Sequence, residues 1–276
     1  MRMVSFPSSF GWLARVGLLT ALVACGSRDG DPHSNQGVIP NPAGKDMRIR
    51  DVTNPTLDNH PKSLDSVTVS GAAVVAVDTF DETGDGKSTG TIYVQDLGSQ
   101  EPYSGISLFA PTFVPGNLRV GAGDVLDLSG QYQENTHIGS ANFAPGAILA
   151  QLARPTATFR FDGENTEPVD IDVEDLTDFD KGRKWLGMVV RVHDVKLQAA
   201  LTGSSGRLSS RMRPEFPGVA NGCDAPFPKA PAVVNELADI GSLNLDAGTQ
   251  VKSITGVVTF FCNLHLAPRT LADIEP

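Results

Sequence analysis

The chain has 276 residues and a net charge of −10, with 20% charged and 7% aromatic residues, 28 glycines and 19 prolines. That length holds one large domain or two small ones, with apolar residues enough for a core. The acidic balance, with no cluster of Lys and Arg to offset it, repels phosphate backbones and anionic lipid heads, so nucleic acid is a disfavoured partner.

The first 24 residues have the layout of an export signal. Arg2 and Arg15 are their only charges, and a short apolar run, Val16 to Ala24, follows. The run is about half of what a membrane-spanning helix needs. Leu22-Val23-Ala24-Cys25 resembles the lipobox of bacterial lipoproteins. That resemblance implies cleavage after residue 24 and acylation of Cys25 by diacylglycerol and a palmitate-type chain. Several acyl chains on one residue anchor more firmly than one. Gly26 follows the cysteine, where Asp would direct retention at the inner membrane. The expected location is therefore the outer membrane, with the body facing the periplasm or the cell surface. Loss of Arg2 and Arg15 takes the net charge from −10 to −12.

Residues 25–64 are rich in Gly, Pro, Asn, Asp and Ser and show no apolar period, which predicts a flexible tether. Met47–Val52 is its first segment with ordering potential. Strand patterning begins at Val67 and runs to Asp78. Further strands are predicted at Thr91–Asp96, Gly105–Phe109, Val125–Tyr132 and Ala147–Leu152. Gly71 and Gly130 fit bends in the first and fourth of these five strands. The series Val69-Ser70-Gly71 through Asp78, then Ile92-Tyr93-Val94-Gln95-Asp96, then Ser104 to Phe109, then Val120-Gly121-Ala122-Gly123-Asp124 to Gly130, resembles the OB-fold modules of secreted bacterial proteins. Such modules often sit beside extracellular nuclease or phosphoesterase domains. The resemblance implies a small five-stranded barrel, and it says little about function because one fold hosts many functions.

The second half repeats the scheme more loosely. Trp185–Val192 parallels the first strand, Gly248–Val258 the fourth, and Leu264–Thr270 parallels Leu152–Thr156. An insertion around Arg213–Asn235 lengthens the spacing, and the acid-rich run Pro168–Lys181 joins the halves, with room for a short helix. The expected architecture is all-β: a signal peptide (1–24), a tether (25–64), and two tandem small OB-like barrels (65–160 and 161–276).

Cys223 and Cys262 share the C-terminal region of an exported chain, which favours a disulfide between them. Closing a loop of about 40 residues is worth roughly 4 kcal/mol in the chain-entropy picture. The alternative is a metal pair, for which only His265 offers a further ligand nearby.

Motifs that carry chemistry are sparse. Gly84–Ser88 lacks the glycine that a phosphate loop needs at position 81, which is Asp. Asp78, Asp81 and Asp85 with Gly86 open like a calcium loop, although position 92, where a bidentate acid belongs, is Ile. The plainer reading of that turn is a solvated loop between strands. The acids Asp170, Asp172, Glu174, Asp175, Asp178 and Asp180 read as a solvated linker rather than a cation site. His33, His60, His137, His193 and His265 have no partner at metal spacing, and no nucleophile elbow appears. Tyr93, Tyr103, Phe109 and Phe113 fall on or near strands two and three, the ligand face of an OB barrel. There they form a candidate ligand face, with Tyr93 and Phe109 also suited to core positions.

Three functions remain open. The first is a non-enzymatic, lipid-anchored binding or assembly module of the envelope, with a protein or glycan partner and no cofactor, save Ca2+ if the acidic turn binds it. The second is an OB-fold nucleic-acid-binding protein. The third is a hydrolase whose paired groups come together only on folding.

Overall fold

The computed structural model describes residues 46–81, 90–138, 141–143, 146–163, 165–204, 206–214 and 231–276. The chain divides into Met1–Asp31 and Pro32–Pro276, and every described residue belongs to the second unit. The signal peptide, Cys25, Asp85 and Cys223 lie outside the described residues.

The first half is built from β1 (Asp46–Met47), α1 (Ile49–Thr53), β2 (Ser66–Val77), β3 (Ile92–Asp96), β4 (Gly105–Phe109), β5 (Thr112–Val114) and β6 (Asp124–Asn135). A small hairpin, β7 (His137–Ile138) and β8 (Ala141–Asn142), then leads to β9 (Leu149–Asp162). The second half holds β10 (Val169–Asp170), α2 (Phe179–Gly182), β11 (Val189–Lys196), β12 (Thr202–Ser204), β13 (Arg207–Arg211), β14 (Ala232–Val234), β15 (Gln250–Phe261), β16 (Asn263–Ala267) and β17 (Ile274–Glu275). The protein is mostly β, with one large sheet in each half.

The two sheets share one order of strands. In the first, β2 pairs with β3 and β6, β3 with β4, and β9 with β4 and β6, so the pairings return to their start. In the second, β11 pairs with β15, β15 with β16, β16 with β14, and β14 with β13. A backbone bond, Gln198 N–H to the Arg211 carbonyl, 2.9 Å, links the end of β13 to the residues after β11. Register matches as well. Ser66 faces Gln131, which faces Ala153; Val189 faces Val257, which faces Ala267. Left-handed residues fall at matching places: Leu64 (φ 79) and Gly187 (φ 73) precede the first strand of each sheet, and Gly71 (φ 69) and Asp194 (φ 52) bend it.

Several sequence boundaries shift. Within the stretch expected to be a tether (25–64), residues 46–64 are folded chain: β1 lies parallel against β2, and the Ile49 and Val52 side chains are fully buried in the first core. Two alternating apolar residues are too short a signal to read. In the acid-rich run after Pro168, β10 pairs with β11 as β1 pairs with β2. The fifth strand continues to Asp162. Pro155, which has no N–H to donate, marks a strand end in sequence, but it sits at a bulge where Arg154 adopts φ 47. Gly130 makes room there, since a Cβ would lie 2.9 Å from the Pro155 Cα. β14 (Ala232–Val234) falls inside the stretch Arg213–Asn235 that was expected to be an insertion.

Each half has its own core. Val67, Val94, Ile106, Leu126, Leu128, Tyr132 and Leu152 fill the first, and Met188, Val190, Ile254, Val258, Leu264 and Leu266 fill the second. A third cluster joins them: Val75, Ala76 and Tyr93 against Val189, Val234, Leu237, Val257 and Ala267. The hairpin between β6 and β9 adds a strap, with Phe143 edge-on to Phe260 of the second half at 4.8 Å.

Candidate functional site

Alternation along a strand sends successive side chains to opposite faces. On β3, Ile92 and Val94 enter the first core, so Tyr93 and Gln95 point outward. On β4, Ile106 and Leu108 point inward, leaving Gly105, Ser107 and Phe109 outward. This outward row is the surface that an OB barrel uses for ligands. Here the second half covers most of it.

Gln95 is fully buried. Its Oε1 accepts the Val189 N–H at 2.9 Å, and its Nε2 donates to the Ser99 carbonyl at 2.7 Å. The Tyr93 hydroxyl donates to Glu236 at 2.8 Å. Burial, with Glu236 beside it, holds the phenol well above its ordinary pKa. At Gly105 and Gly187 the two backbones touch: a Cβ on Gly105 would lie 2.4 Å from the Gly187 carbonyl carbon. The Tyr103 N–H donates to the Lys184 carbonyl at 2.6 Å.

Asp96, the neighbour of Gln95, turns inward to α1. Its two carboxylate oxygens accept the Ile49 and Arg50 N–H groups at 2.7 and 3.0 Å, satisfying donors that open a helix. Burial raises its pKa to about 6, against the pull of those two bonds. Thr53, at the end of α1, donates to the Tyr103 carbonyl. The Gln95-Asp96 pair therefore joins three elements.

The four aromatic residues of the predicted ligand face do not converge. Tyr93 lies in the seam between the halves, Tyr103 in a left-handed turn (φ 71), and Phe113 half-buried against the first core. Phe109 alone is open, 53% exposed. The acidic turn is not assembled as a calcium loop among the described residues: Asp78 is buried at the end of β2, Asp81 is half-buried, and no group of three His, Cys, Asp or Glu is placed to hold a metal. Cys262 is buried at the turn between β15 and β16 with φ 64.

A second polar group lies across β10, β11, β15 and β17. His193 Nε2 meets Asp170 Oδ1 at 2.8 Å, and Arg191 donates to Thr255 Oγ1 at 3.3 Å. Ser253 stands opposite His193 in register. Its hydroxyl donates instead to Glu275 at 3.0 Å, and Lys252 bonds the same carboxylate at 2.8 Å. Those two bonds hold the Glu275 pKa below its ordinary value. The Ser253 hydroxyl is thus bonded to Glu275 and not to His193, and the strip forms an ion-pair network. Two further buried groups stand apart from it. Burial raises the pKa of Asp127, which accepts the Gly71 N–H at 3.0 Å, and burial lowers that of His265 to about 4.

The seam was not legible in sequence. Gln95 and Gly105 sit in ordinary strand patterning, and the single clue was a pair of outward positions, Val189 and Val257, that stay apolar where alternation asks for polar residues. No protein-family model matches the chain, and no curated protein matches it in sequence.

Proposed function

We propose that the protein is a non-enzymatic binding module of the bacterial envelope, built from two OB-type barrels held off the outer membrane by a lipid on Cys25. The observation that carries this reading is the fate of the β3–β4 face. Gln95, Tyr93 and Gly105 occupy the positions from which an OB barrel reads oligonucleotides, and they are engaged by Val189, Glu236 and Gly187. The barrel surface serves here for protein recognition. The shared strand order and matched register support the OB assignment of both halves, since strand one between two and four, and five between three and four, is the OB pattern.

The lipobox resemblance supports the anchor, and the acidic charge supports an exported body that does not bind anionic polymers. The Cys223–Cys262 disulfide belongs to the same proposal, and the oxidising compartment that the lipobox implies supports it. Metabolic labelling with a palmitate analogue tests the anchor: label in the wild type and none in Cys25→Ala is expected. Crosslinking in intact envelopes followed by affinity capture tests the module, with a reproducible partner as the expected result. A gel shift with single-stranded DNA at low salt is expected to show no complex, and a shift would return the nucleic-acid reading.

A further inference from the structure

One edge of the first half stands open. β4 and β5 run one after the other along the same side of β9, Ser107–Phe109 beside Gln151–Ala153 and Thr112–Val114 beside Thr156–Thr158. Among the described residues β5 pairs with β9 alone. Leu108 and Phe113 turn toward the first core, which sends Phe109, Thr112 and Val114 outward. Phe109 is 53% and Val114 48% exposed. Register separates them along β9 from Ala153 to Thr158, roughly 16 Å at the rise of a strand. Ala110 and the turn Pro115-Gly116-Asn117 are exposed as well. From Pro102 to Leu118 the chain carries no charge. The other exposed large apolar side chains lack that setting: Leu64 stands between Lys62 and Asp65, and Leu271 between Arg269 and Asp273.

We propose that this strip, Phe109 to Leu118, docks the body on the lipid surface to which Cys25 ties it, with its apolar side chains in the headgroup region. The proposal deepens the anchored-module reading and rests on it. The chain as a whole is acidic and repels anionic surfaces, and the uncharged strip lets the body approach a bilayer without that penalty. Its margins carry cations, Arg119 and Arg154, both exposed. Apolar groups sink about 5–10 Å into the interface, and basic groups beside them reach the lipid phosphates. The attachment point also lies close. Asp46 of β1 shares one cross-strand row with Thr68, Ser129, Thr156 and Thr112 of β5. β1 runs parallel to β2, so the chain enters it from the Ser66 end, the level of Gln131, Ala153 and Phe109. Four strand spacings make about 19 Å, and a coil as long as the 26–45 stretch between Cys25 and Asp46 reaches about 25 Å. Other occupants fit less well. A stable protein partner takes about 800 Å² from each side, whereas the exposed half of Phe109 offers about 100 Å², and Val114 is smaller. A peptide adding to the β5 edge would find three residues, closed by Pro111 and Pro115.

The test is quenching of tryptophan emission by bromine. The full chain, purified from bacterial membranes, is reconstituted in vesicles of phosphatidylcholine brominated on its acyl chains. Once the signal peptide is lost, Trp185 is the sole tryptophan, and it is buried. Phe109→Trp and Val114→Trp should each lose about half or more of the added emission, at low and at high salt. Leu271→Trp and Trp185 itself should be unquenched. Val114→Asp in the Phe109→Trp chain should cut the quenching about twofold or more, with an unchanged thermal melt. Emission unquenched at both positions, or quenched equally at position 271, overturns the proposal, as does quenching that high salt abolishes. Flotation of the vesicles separates this failure from that of the parent reading. A chain that floats unquenched keeps its anchor and loses the docking, and envelope crosslinks from position 114 to a protein then assign the edge to that partner. A wild-type chain that does not float overturns both.

Discussion

The outer face of β11, β15, β16 and β14 in the second half is covered at every matched position, and its counterpart on β2, β6, β9 and β4 in the first is covered only in part. In the second half it is Val189, Val257, Ala267 and Val234, all nearly inaccessible; in the first it is Ser66, Gln131, Ala153 and Phe109, with Ser66, Gln131 and Phe109 exposed. Strand order and register are the same, so backbone geometry does not make the difference. The side chains do. Burying apolar area against the first half stabilises the seam, and the exposed Ser66 and Gln131 of the other copy favour solvent.

Gly105 and Gly187 give the largest expected effect on this comparison. Gly105→Ala places a methyl group 2.4 Å from the Gly187 backbone, where no flexible side chain can yield. We expect a loss of about 4 kcal/mol, enough to part the halves. Guanidinium denaturation should show the lower midpoint, and an unchanged midpoint would mean that the seam is not formed as described.

Exchanging the two faces comes next. Val257→Gln puts the amide of its counterpart Gln131 into the seam and should cost about 3 kcal/mol, the penalty of a buried polar group without partners. The reverse change, Gln131→Val, should alter stability by roughly 0.5 kcal/mol or less, as exposed substitutions do. Equal effects in urea titrations would erase the distinction between the copies.

The two halves also carry buried groups with opposite responses to acid. Asp96 has a pKa of about 6 in the fold and about 3.9 unfolded. Folding therefore favours its protonated form, and its contribution is lost as pH rises from about 4 through 6. His265 has a pKa of about 4 in the fold and about 6.5 unfolded. Its contribution is present above pH 6.5 and lost as pH falls toward 4. Each spans at most about 3 kcal/mol, from 1.36 kcal/mol per unit. Over the shared window the two offset each other. Relative to the wild type, Asp96→Asn should lose stability more steeply on acidification, and His265→Gln should lose it less steeply. Denaturant midpoints at pH 4, 5, 6 and 7 measure both slopes, and slopes of the same sign would refute the assignment.

Smaller effects remain. Gln95→Ala strands the Val189 N–H in the seam, where unsatisfied donors cost about 2 kcal/mol. At the matched left-handed positions, Leu64 lies where the second half has Gly187. Leu64→Gly relieves a conformation that costs an L-residue about 1–2 kcal/mol and adds unfolded-state entropy. A net gain of about 0.5 kcal/mol in calorimetry is expected.

Much of the fold was legible because local chemistry dictated it. Alternation over Val67–Asp78 and Val125–Tyr132 placed β2 and β6 within a few residues, and Gly105–Phe109 matched β4. The parallel between Leu264–Thr270 and Leu152–Thr156 matched the fifth-strand positions, β16 and part of β9. β1 and β10 escaped because two residues carry no period, and β9 because Pro155 reads as a stop until a bulge accommodates it. The aromatic ligand face failed for a different reason. Tyr93 and Phe109 share one outward row, yet Tyr93 is buried and Phe109 is open, and that depends on where a segment more than a hundred residues away comes to rest.

By itself the sequence determined the β character, the positions of several longer strands and the acidic charge, since each follows from residues close in the chain. Tertiary structure alone decided which of two equivalent faces is covered, what Gln95 and Asp96 hold, and why Asp96 and His265 answer acid in opposite senses. Those outcomes depend on burial and on partners brought from distant positions, which local pattern does not encode.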